Sequence, residues 1–187
     1  MFTAFLDACV LLPVSLCDTL LRAAEEDFFR PTWSQAALRE VERAFIRVHP
    51  DIGAARIRTR LAAANRAFPG ACVAGYEPLI TGVLLPDPDD RHVVAAAVAA
   101  HADAIITANL PDFPDDVLNP LGLHAIHPDD FLLNLLDLFP SVVGDIITEQ
   151  AAATRAPSLT TDDVLASLHR AGVPQFVEAV QASRWTG

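Results

Sequence analysis

The stretch "LLPDPDDRHVVAAAVAAHADAIITANLPDFP" (Leu84–Pro114) decides the fold. It places three aspartates before a run of small apolar residues that predicts a helix from about Asp90 to His101. The segment "ADAIITAN" follows directly, and its apolar, β-branched residues predict a short buried strand. A helix that leads straight into a buried strand is typical of a parallel sheet covered by helices.

The same alternation extends toward the amino terminus. The run "FTAFLDACVLL" (residues 2–12) predicts a first strand, and Pro13 begins a helical pattern. After a second strand or turn near residues 28–29, "PTWSQAALREVERAFIRV" predicts a helix whose N-cap is Thr32 or Ser34. Another helix (51–69) and strands "ACVAGY" and "LHAI" complete the series. We therefore predict a three-layer α/β/α fold with a central parallel sheet.

The chain becomes purely helical beyond Asp129. We place a first domain at residues 1–135 and a helical carboxy-terminal extension at residues 136–187. The segment "TRAPS" (Thr154–Ser158) is predicted to be a linker before the last helical pair.

Composition limits the function classes. The formal charge is −11, which argues against a protein that binds nucleic acid over its whole surface. However, the chain has no lysine, and seven of its thirteen arginines lie between Arg39 and Arg66. A local arginine-rich face is therefore compatible with a phosphate backbone, although a solvated helical face explains the same arginines.

The three cysteines show no zinc-type spacing, and Cys9 is interpreted as a small buried residue. No apolar run reaches membrane-spanning length and the start lacks a basic signal region, so we expect a cytoplasmic protein.

Oxygen-bearing side chains stand where a parallel sheet binds ligands, at the carboxyl ends of its strands. Asp7 ends the first strand, and Asn109 with Asp112 follows the "AIIT" strand. Asp7 either caps the next helix or binds a cation that offsets the cost of its burial. Glu40 lies at the edge of the apolar stripe of its helix and is the better inward carboxylate than Glu42.

The acids before the late helix raise a separate question. Any one of Asp87, Asp89 and Asp90 is explained as a helix N-cap, but one cap suffices and clustered anions repel. Either solvent or a divalent cation relieves this repulsion. Oxygen ligands without a histidine or cysteine cluster favour Mg²⁺ or Mn²⁺ over zinc.

Together these segments resemble the PIN-domain nucleases, most closely the VapC-type toxins of bacterial toxin–antitoxin pairs. The resemblance covers about residues 1 to 130 and is carried by "FLDACVL", "SQAALREVERAF" and "LPDPDDRHVVAAAVAAHADAIITANLPDFP". The last segment is the specific one. The chain departs from the family in one place, because many PIN domains have an aspartate where this chain has Asn109.

The resemblance implies a metal-dependent endoribonuclease, the toxin of a type II pair. Its expected partners are an RNA substrate, a cognate antitoxin and a second copy in a homodimer, with no membrane. The implied catalytic and metal-binding residues are Asp7, Glu40, Asp90 and Asp112, supported by Thr107 and Asn109. Whether Asn109 or Asp112 completes the metal site stays open. Arg39, Arg43 and Arg91 are candidates for phosphate contact or for salt pairing with nearby acids.

Two other functions have some support in the sequence. A catalytically weak PIN-like protein that acts mainly as a binding partner is suggested by Asn109 and by the acidic charge. An aspartyl-phosphate phosphatase of the haloacid dehalogenase type also begins with a strand ending in aspartate. It requires a second aspartate where Cys9 stands and a lysine, which the chain lacks, so that hypothesis fails.

Overall fold

The computed structural model describes residues 1–153 and 158–183 of the 187-residue chain. The packing divides these residues into two compact units. Unit 1 contains Met1–Leu12 and Phe29–Ile126, and unit 2 contains Pro13–Phe28 with the described residues from His127 onward. The predicted boundary after residue 135 stays a prediction, whereas the packing units change at Ile126 and His127. Most of the predicted linker, residues 154–157, lies outside the described residues.

Unit 1 is built on a parallel sheet of five strands in the order β3-β2-β1-β4-β5. The strands are β1 (Thr3–Leu6), β2 (Arg30–Ser34), β3 (Cys72–Val73), β4 (Ala104–Ile106) and β5 (His124–Ile126). The register pairs Phe5 of β1 with Thr32 and with Ile105, so the carboxyl ends of β2, β1 and β4 meet at one edge. The predicted central parallel sheet with flanking helices is confirmed.

The helices of unit 1 connect these strands. They are α1 (Ala8–Leu11), α3 (Gln35–Val48), α4 (Ala54–Ala67), α5 (Arg91–Ala99) and α6 (Asp115–Leu118), and short 3₁₀ turns lie at Glu77–Gly82, Pro88–Asp90, Leu110–Asp112 and Asn119–Leu121. Ser34 ends β2, and its hydroxyl accepts a hydrogen bond from the Ala37 amide at 3.1 Å, so Ser34 rather than Thr32 is the N-cap of α3. α5 is buried along Val93–Ala97, where three consecutive alanines allow a helix to pack closely against the sheet.

The first strand is shorter than the apolar run predicted. β1 ends at Leu6, and the continuation "ACVL" forms α1 instead. The cause is local, because the Asp7 carboxylate accepts a hydrogen bond from the Ala8 amide at 2.6 Å and caps a helical turn. As a result Asp7 and Cys9 lie at the edge of the sheet on a tight turn rather than along a strand.

The described part of unit 2 is helical, apart from a single bridge residue at Ser158, as predicted for the end of the chain. Its helices are α2 (Val14–Glu25), α7 (Pro128–Leu138), α8 (Pro140–Ala153), α9 (Thr161–Arg170) and α10 (Pro174–Ser183). α2 belongs to this unit because it packs on α8 and α9, with Thr19 donating a buried hydrogen bond to Gln150 at 2.7 Å. No single helix in the described parts of the chain is long and apolar enough to cross a membrane. The consecutive helices α7 and α8 meet the length and composition criteria only together, and they are bent by 119°.

Candidate active site

Asp7 is the most firmly held carboxylate at the edge of the sheet. It is buried, and its Oδ1 accepts the hydrogen bond from Ala8 described above. Its Oδ2 accepts hydrogen bonds from the Thr107 hydroxyl at 2.8 Å and from the Cys9 thiol at 3.1 Å. The two alternatives for Asp7 are therefore not exclusive, because one oxygen caps α1 while the other meets side chains at the end of β4.

Thr107 connects the two central strands at this edge. It is fully buried, its amide donates to the Ile126 carbonyl, and its hydroxyl accepts a hydrogen bond from the Asn109 amide at 3.1 Å. Since the hydroxyl proton goes to Asp7, Thr107 fixes the orientation of that carboxylate. The supporting role in catalysis that the family resemblance implies for Thr107 stays a prediction.

Cys9 is the residue of this site that sequence reasoning missed. Its sulfur lies 3.4 Å from the Thr107 hydroxyl and accepts a hydrogen bond from the Ala108 amide at 3.2 Å. Burial, and then the nearby Asp7 charge, raise the pKa of the Cys9 thiol to about 12. Cys9 is therefore a thiol that donates to Asp7, not a nucleophile. The available signal was its position two residues after the strand-ending aspartate.

Glu40 reaches the site from α3 and is half-buried. Its Oε1 lies 2.9 Å from Nε2 of His92 on α5 and 3.7 Å from the Arg43 guanidinium. Glu42 instead pairs with Arg58 at 2.9 Å, and its side chain is 27% exposed against 33% for Glu40, so burial does not distinguish the two and the choice of Glu40 stays a prediction.

Asp90 is the electrostatic centre of the carboxylates. Burial, and then the charges of Asp7, Asp87, Asp112 and Glu40 in that order of influence, together raise the pKa of Asp90 to about 6. Carboxylates from three separate parts of unit 1 are therefore close enough to disfavour ionisation of one of them. Asp89, by contrast, is exposed and does not contribute to this shift.

The loop after β4 carries the last two candidates. The Asn109 side-chain amide donates a hydrogen bond to the carboxylate of Asp112. Asn109 is exposed and Asp112 is half-buried. Of these two residues, only Asp112 influences the pKa of Asp90. These contacts favour Asp112 over Asn109 as the fourth residue of the candidate site, beside Asp7, Glu40 and Asp90. Asn109 then holds Asp112 in place by its hydrogen bond.

The candidate arginines occupy different environments. Arg39 and Arg43 are exposed on α3, and Arg43 is paired with Glu40. Arg91 is half-buried beside Asp90, and its Nε is buried without a hydrogen-bond partner. Arg91 is therefore not held by a salt bridge within the described residues.

The candidate metal ligands at this edge of the sheet carry hard oxygen donors. Within residues 1–153 and 158–183, no three His, Cys, Asp or Glu side chains converge closely enough to hold a metal ion as they stand. The oxygen chemistry and the mutual repulsion around Asp90 do fit Mg²⁺ or Mn²⁺. Binding would require the carboxylates to turn toward a common point.

The comparisons with known proteins agree with this geometry. A family model described as "PIN domain" matches residues 3–111, which is 109 of the 187 residues. The chain belongs to the PIN-domain family. A second family model, "VapC50 C-terminal domain", matches residues 128–182. The family resemblance expected from the sequence is therefore confirmed, and the end of the PIN domain is followed by a region with a family of its own.

One curated relative is also similar. The protein described as "Putative ribonuclease VapC50" from Mycobacterium tuberculosis (strain ATCC 25618 / H37Rv) is 43% identical over 102 residues. The match covers 54% of this chain and 59% of the relative, so it spans little more than half of each. No solved structure matches the chain.

Proposed function

We propose that this PIN-domain protein is a divalent-cation-dependent endoribonuclease and the toxin of a type II toxin–antitoxin pair. One observation carries the proposal: Asp7, Asp87, Asp112 and Glu40 lie close enough to Asp90 at the carboxyl edge of the sheet for their charges to add to the effect of burial, and together these raise the pKa of Asp90 to about 6. Such an arrangement costs free energy in a protein that only has to fold, and it is common where acids work together. The similarity to a protein named as a ribonuclease supports RNA as the substrate.

Asp7, Glu40, Asp90 and Asp112 would hold the cation, and they are the proposed catalytic residues. When bound, Mg²⁺ or Mn²⁺ would neutralise these acids and supply Lewis acidity toward a phosphodiester. The chain's own contribution is orientation. Thr107 fixes one oxygen of Asp7, and Asn109 fixes Asp112.

The test is cleavage of mixed RNA by protein purified free of antitoxin, with Mg²⁺, with Mn²⁺ and with EDTA. We expect cleavage with at least one cation and none in EDTA. Asp90→Asn should lower the rate at least about 100-fold, the size of effect usual for lost electrostatic stabilisation. Its matched control is Asp89→Asn, which removes an exposed neighbouring charge and should leave the rate unchanged.

Cleavage that persists in EDTA or in Asp90→Asn would overturn the nuclease proposal. The alternative function, a catalytically weak partner of an antitoxin, predicts no cleavage with either cation while antitoxin binding remains. Comparing the two cations at equal concentration also decides which metal is used.

We further assign a cognate antitoxin, a homodimeric state and a cytoplasmic location, all from the similarity to VapC-type proteins. A small gene for a DNA-binding protein beside this one, and its co-purification with the chain, would support the antitoxin. Light scattering of the purified chain tests the dimer. Arg39, Arg43 and Arg91 are proposed phosphate contacts because two are exposed on the helix of Glu40 and the third adjoins Asp90.

A further inference from the structure

Three exposed arginines form a row on α3. Arg39, Arg43 and Arg47 are spaced four residues apart, and we call them the α3 arginine stripe. At about 100° per residue, their side chains and that of Glu40 fall within one arc of about 100°. The buried positions Leu38, Val41 and Phe45 lie outside that arc. The stripe therefore shares one side of the helix with a proposed catalytic carboxylate.

The stripe is joined to the candidate active site by contact. Arg43 lies 3.7 Å from Glu40 while 74% of its side chain remains exposed. Arg39 and Arg47 make no hydrogen bond or ion pair with a described residue, and both are exposed. The row spans about 12 Å along the helix at 1.5 Å per residue, enough to meet more than one phosphate of a strand.

Three other arginines of unit 1 are already used for structure. Arg58 pairs with Glu42 at 2.9 Å, Arg60 donates to the carbonyls of Leu11 and Leu12, and Arg30 donates to a carbonyl at the end of α5. Arg39 and Arg47 differ from these three because they have no hydrogen-bond or ion-pair partner among the described residues, and Arg43 is paired only with Glu40 of the proposed site. In a chain of charge −11, they form a positive path that begins beside the acidic site.

We propose that the α3 arginine stripe binds the phosphate backbone of single-stranded RNA and leads it to the carboxylates. This inference rests on the proposed nuclease function for its substrate. It adds a direction to that function, because the RNA strand would leave the carboxylates along the side of α3 that carries the stripe. A longer strand can reach Arg47, whereas a short one contacts only the arginines near Glu40.

The test measures RNA binding separately from cleavage. Fluorescence anisotropy of labelled single-stranded RNA is recorded over a range of KCl, in an Asp90→Asn background that keeps the RNA intact. We expect Arg39→Gln with Arg47→Gln to weaken binding about tenfold. The slope of log affinity against log salt should fall by about 1.4, or 0.7 for each lost phosphate contact. A strand too short to reach Arg47 should lose less.

The matched control is Arg66→Gln with Arg170→Gln, which changes net charge equally at exposed positions on α4 and α9. The control should keep the parent slope. Equal losses in the two double variants, or an unchanged slope in the stripe variant, would overturn the inference. So would a stripe variant that binds RNA normally and loses only the antitoxin, because the stripe would then be a protein-binding surface.

Failure of the proposed nuclease function would give a different result from failure of the stripe inference. A wild-type protein that binds RNA through the stripe but cleaves nothing would disprove the nuclease and leave the stripe standing. If the wild-type protein cleaves RNA, the double variant Arg39→Gln with Arg47→Gln should raise KM with little change in kcat, because it removes RNA binding rather than chemistry.

An independent observation concerns His92. Its Nε2 lies 2.9 Å from Glu40 Oε1, and a carboxylate only accepts hydrogen bonds, so Nε2 is the donor. The His92 side chain is only 13% exposed, and Nδ1 is buried without a hydrogen-bond partner among the described residues. The bond to Glu40 is thus the polar contact that the structure gives this ring.

We infer that His92 is a positioning residue that holds Glu40 in the direction required for cation binding. It joins α5, which begins beside Asp90, to α3, which carries Glu40. A carboxylate held through one oxygen presents the other to a ligand, and such outer partners commonly change metal affinity 10- to 100-fold. Arg43 holds Glu40 less closely, at 3.7 Å.

Calorimetric titration with Mn²⁺ alone tests this role without RNA. We expect His92→Leu to weaken Mn²⁺ binding about tenfold and His92→Gln, which keeps an N–H donor, to restore most of it. His124→Leu, at an exposed position on β5, is the control. Unchanged Mn²⁺ affinity in His92→Leu would overturn the role, as would a folded His92→Gln as weak as the leucine variant. Absence of Mn²⁺ binding by the wild type would disprove both this role and the Mn²⁺ site itself.

Discussion

Three Pro-Asp-Asp sequences stand at helix starts, and two of them, one in each unit, place their aspartates in different surroundings. In unit 1, Pro88-Asp89-Asp90 leads into α5, and in unit 2, Pro128-Asp129-Asp130 begins α7. Aligned on the proline, the first aspartate is exposed in unit 1 and buried in unit 2. The second aspartate is half-buried in unit 1 and exposed in unit 2. The local sequence is the same, so packing decides what each acid does.

The buried acid of unit 2 is fully used by the backbone. Asp129 is 3% exposed, and its two oxygens accept hydrogen bonds from the amides of Gln175 and Phe176 at 3.1 and 2.8 Å. These amides belong to the first turn of α10, where a negative charge is favourable. In unit 1, Asp90 has no such side-chain capping bond and is surrounded by other acids. One aspartate therefore stabilises a helix, and the other carries an electrostatic cost suited to ligand binding.

The largest expected effect on stability is at Asp129. Asp129→Ala should lower the free energy of unfolding by about 3 kcal/mol, because it leaves two amides without their charged acceptor. Urea unfolding followed by circular dichroism measures the loss, and amide hydrogen exchange should show it concentrated in α10. Asp130→Ala, at the exposed neighbour, should change stability by less than about 0.5 kcal/mol. Equal effects of the two variants would contradict a structural role specific to Asp129.

Much of this contrast was accessible from sequence, but not all of it. Apolar periodicity predicted the parallel sheet, and the rule for strand ends selected Asp7, Asn109 and Asp112, since both predictions depend on neighbouring residues along the chain. The contact between Glu40 and His92 was missed, because these residues are 52 positions apart and meet only when α3 packs near α5. The short helix α1 was also missed, because the apolar run continues beyond Asp7 through residues that a single cap turns into a helix.

The role of α2 was missed for a related reason. Its sequence predicts an amphipathic helix correctly but does not identify the surface it covers. The polar contacts from Ser15 and Thr19 to Gln150 explain why α2 packs in unit 2. Such pairs have no sequence signature, because serine, threonine and glutamine are equally common on exposed helix faces.

An effect of intermediate size is expected in the pH dependence of stability. The pKa of Asp90 rises from 3.8 to about 6 on folding, so between these values the folded chain keeps a proton that the unfolded chain has lost. The free energy of unfolding should therefore fall as pH rises from about 4 to about 6. For a partly exposed group we expect a contribution of about 1 kcal/mol after solvent screening.

Comparing unfolding in EDTA at several pH values isolates this contribution. Asp90→Asn should gain stability relative to the wild type as pH rises through the window, with a constant difference above it. Asp89→Asn should follow the wild-type curve. Added Mn²⁺ should weaken the effect, because a cation favours the ionised carboxylates. A wild-type slope that survives in Asp90→Asn would place the titrating group elsewhere.

The smallest expected effect is a difference in stability between variants of Asp87 and His127, the residues that directly precede these two Pro-Asp-Asp sequences. The Asp87 carboxylate accepts a hydrogen bond from the Asp89 amide at 2.9 Å, and His127 Nδ1 accepts one from the Asp129 amide at 3.2 Å. Loss of either cap alone should cost about 1 kcal/mol. Asp87→Ala also removes a charge that raises the pKa of Asp90, so part of its loss is offset. At neutral pH in EDTA we therefore expect His127→Ala to destabilise the chain more than Asp87→Ala, although the capping geometry is shared. A larger loss for Asp87→Ala would mean that repulsion among the acids of unit 1 is weaker than their capping role.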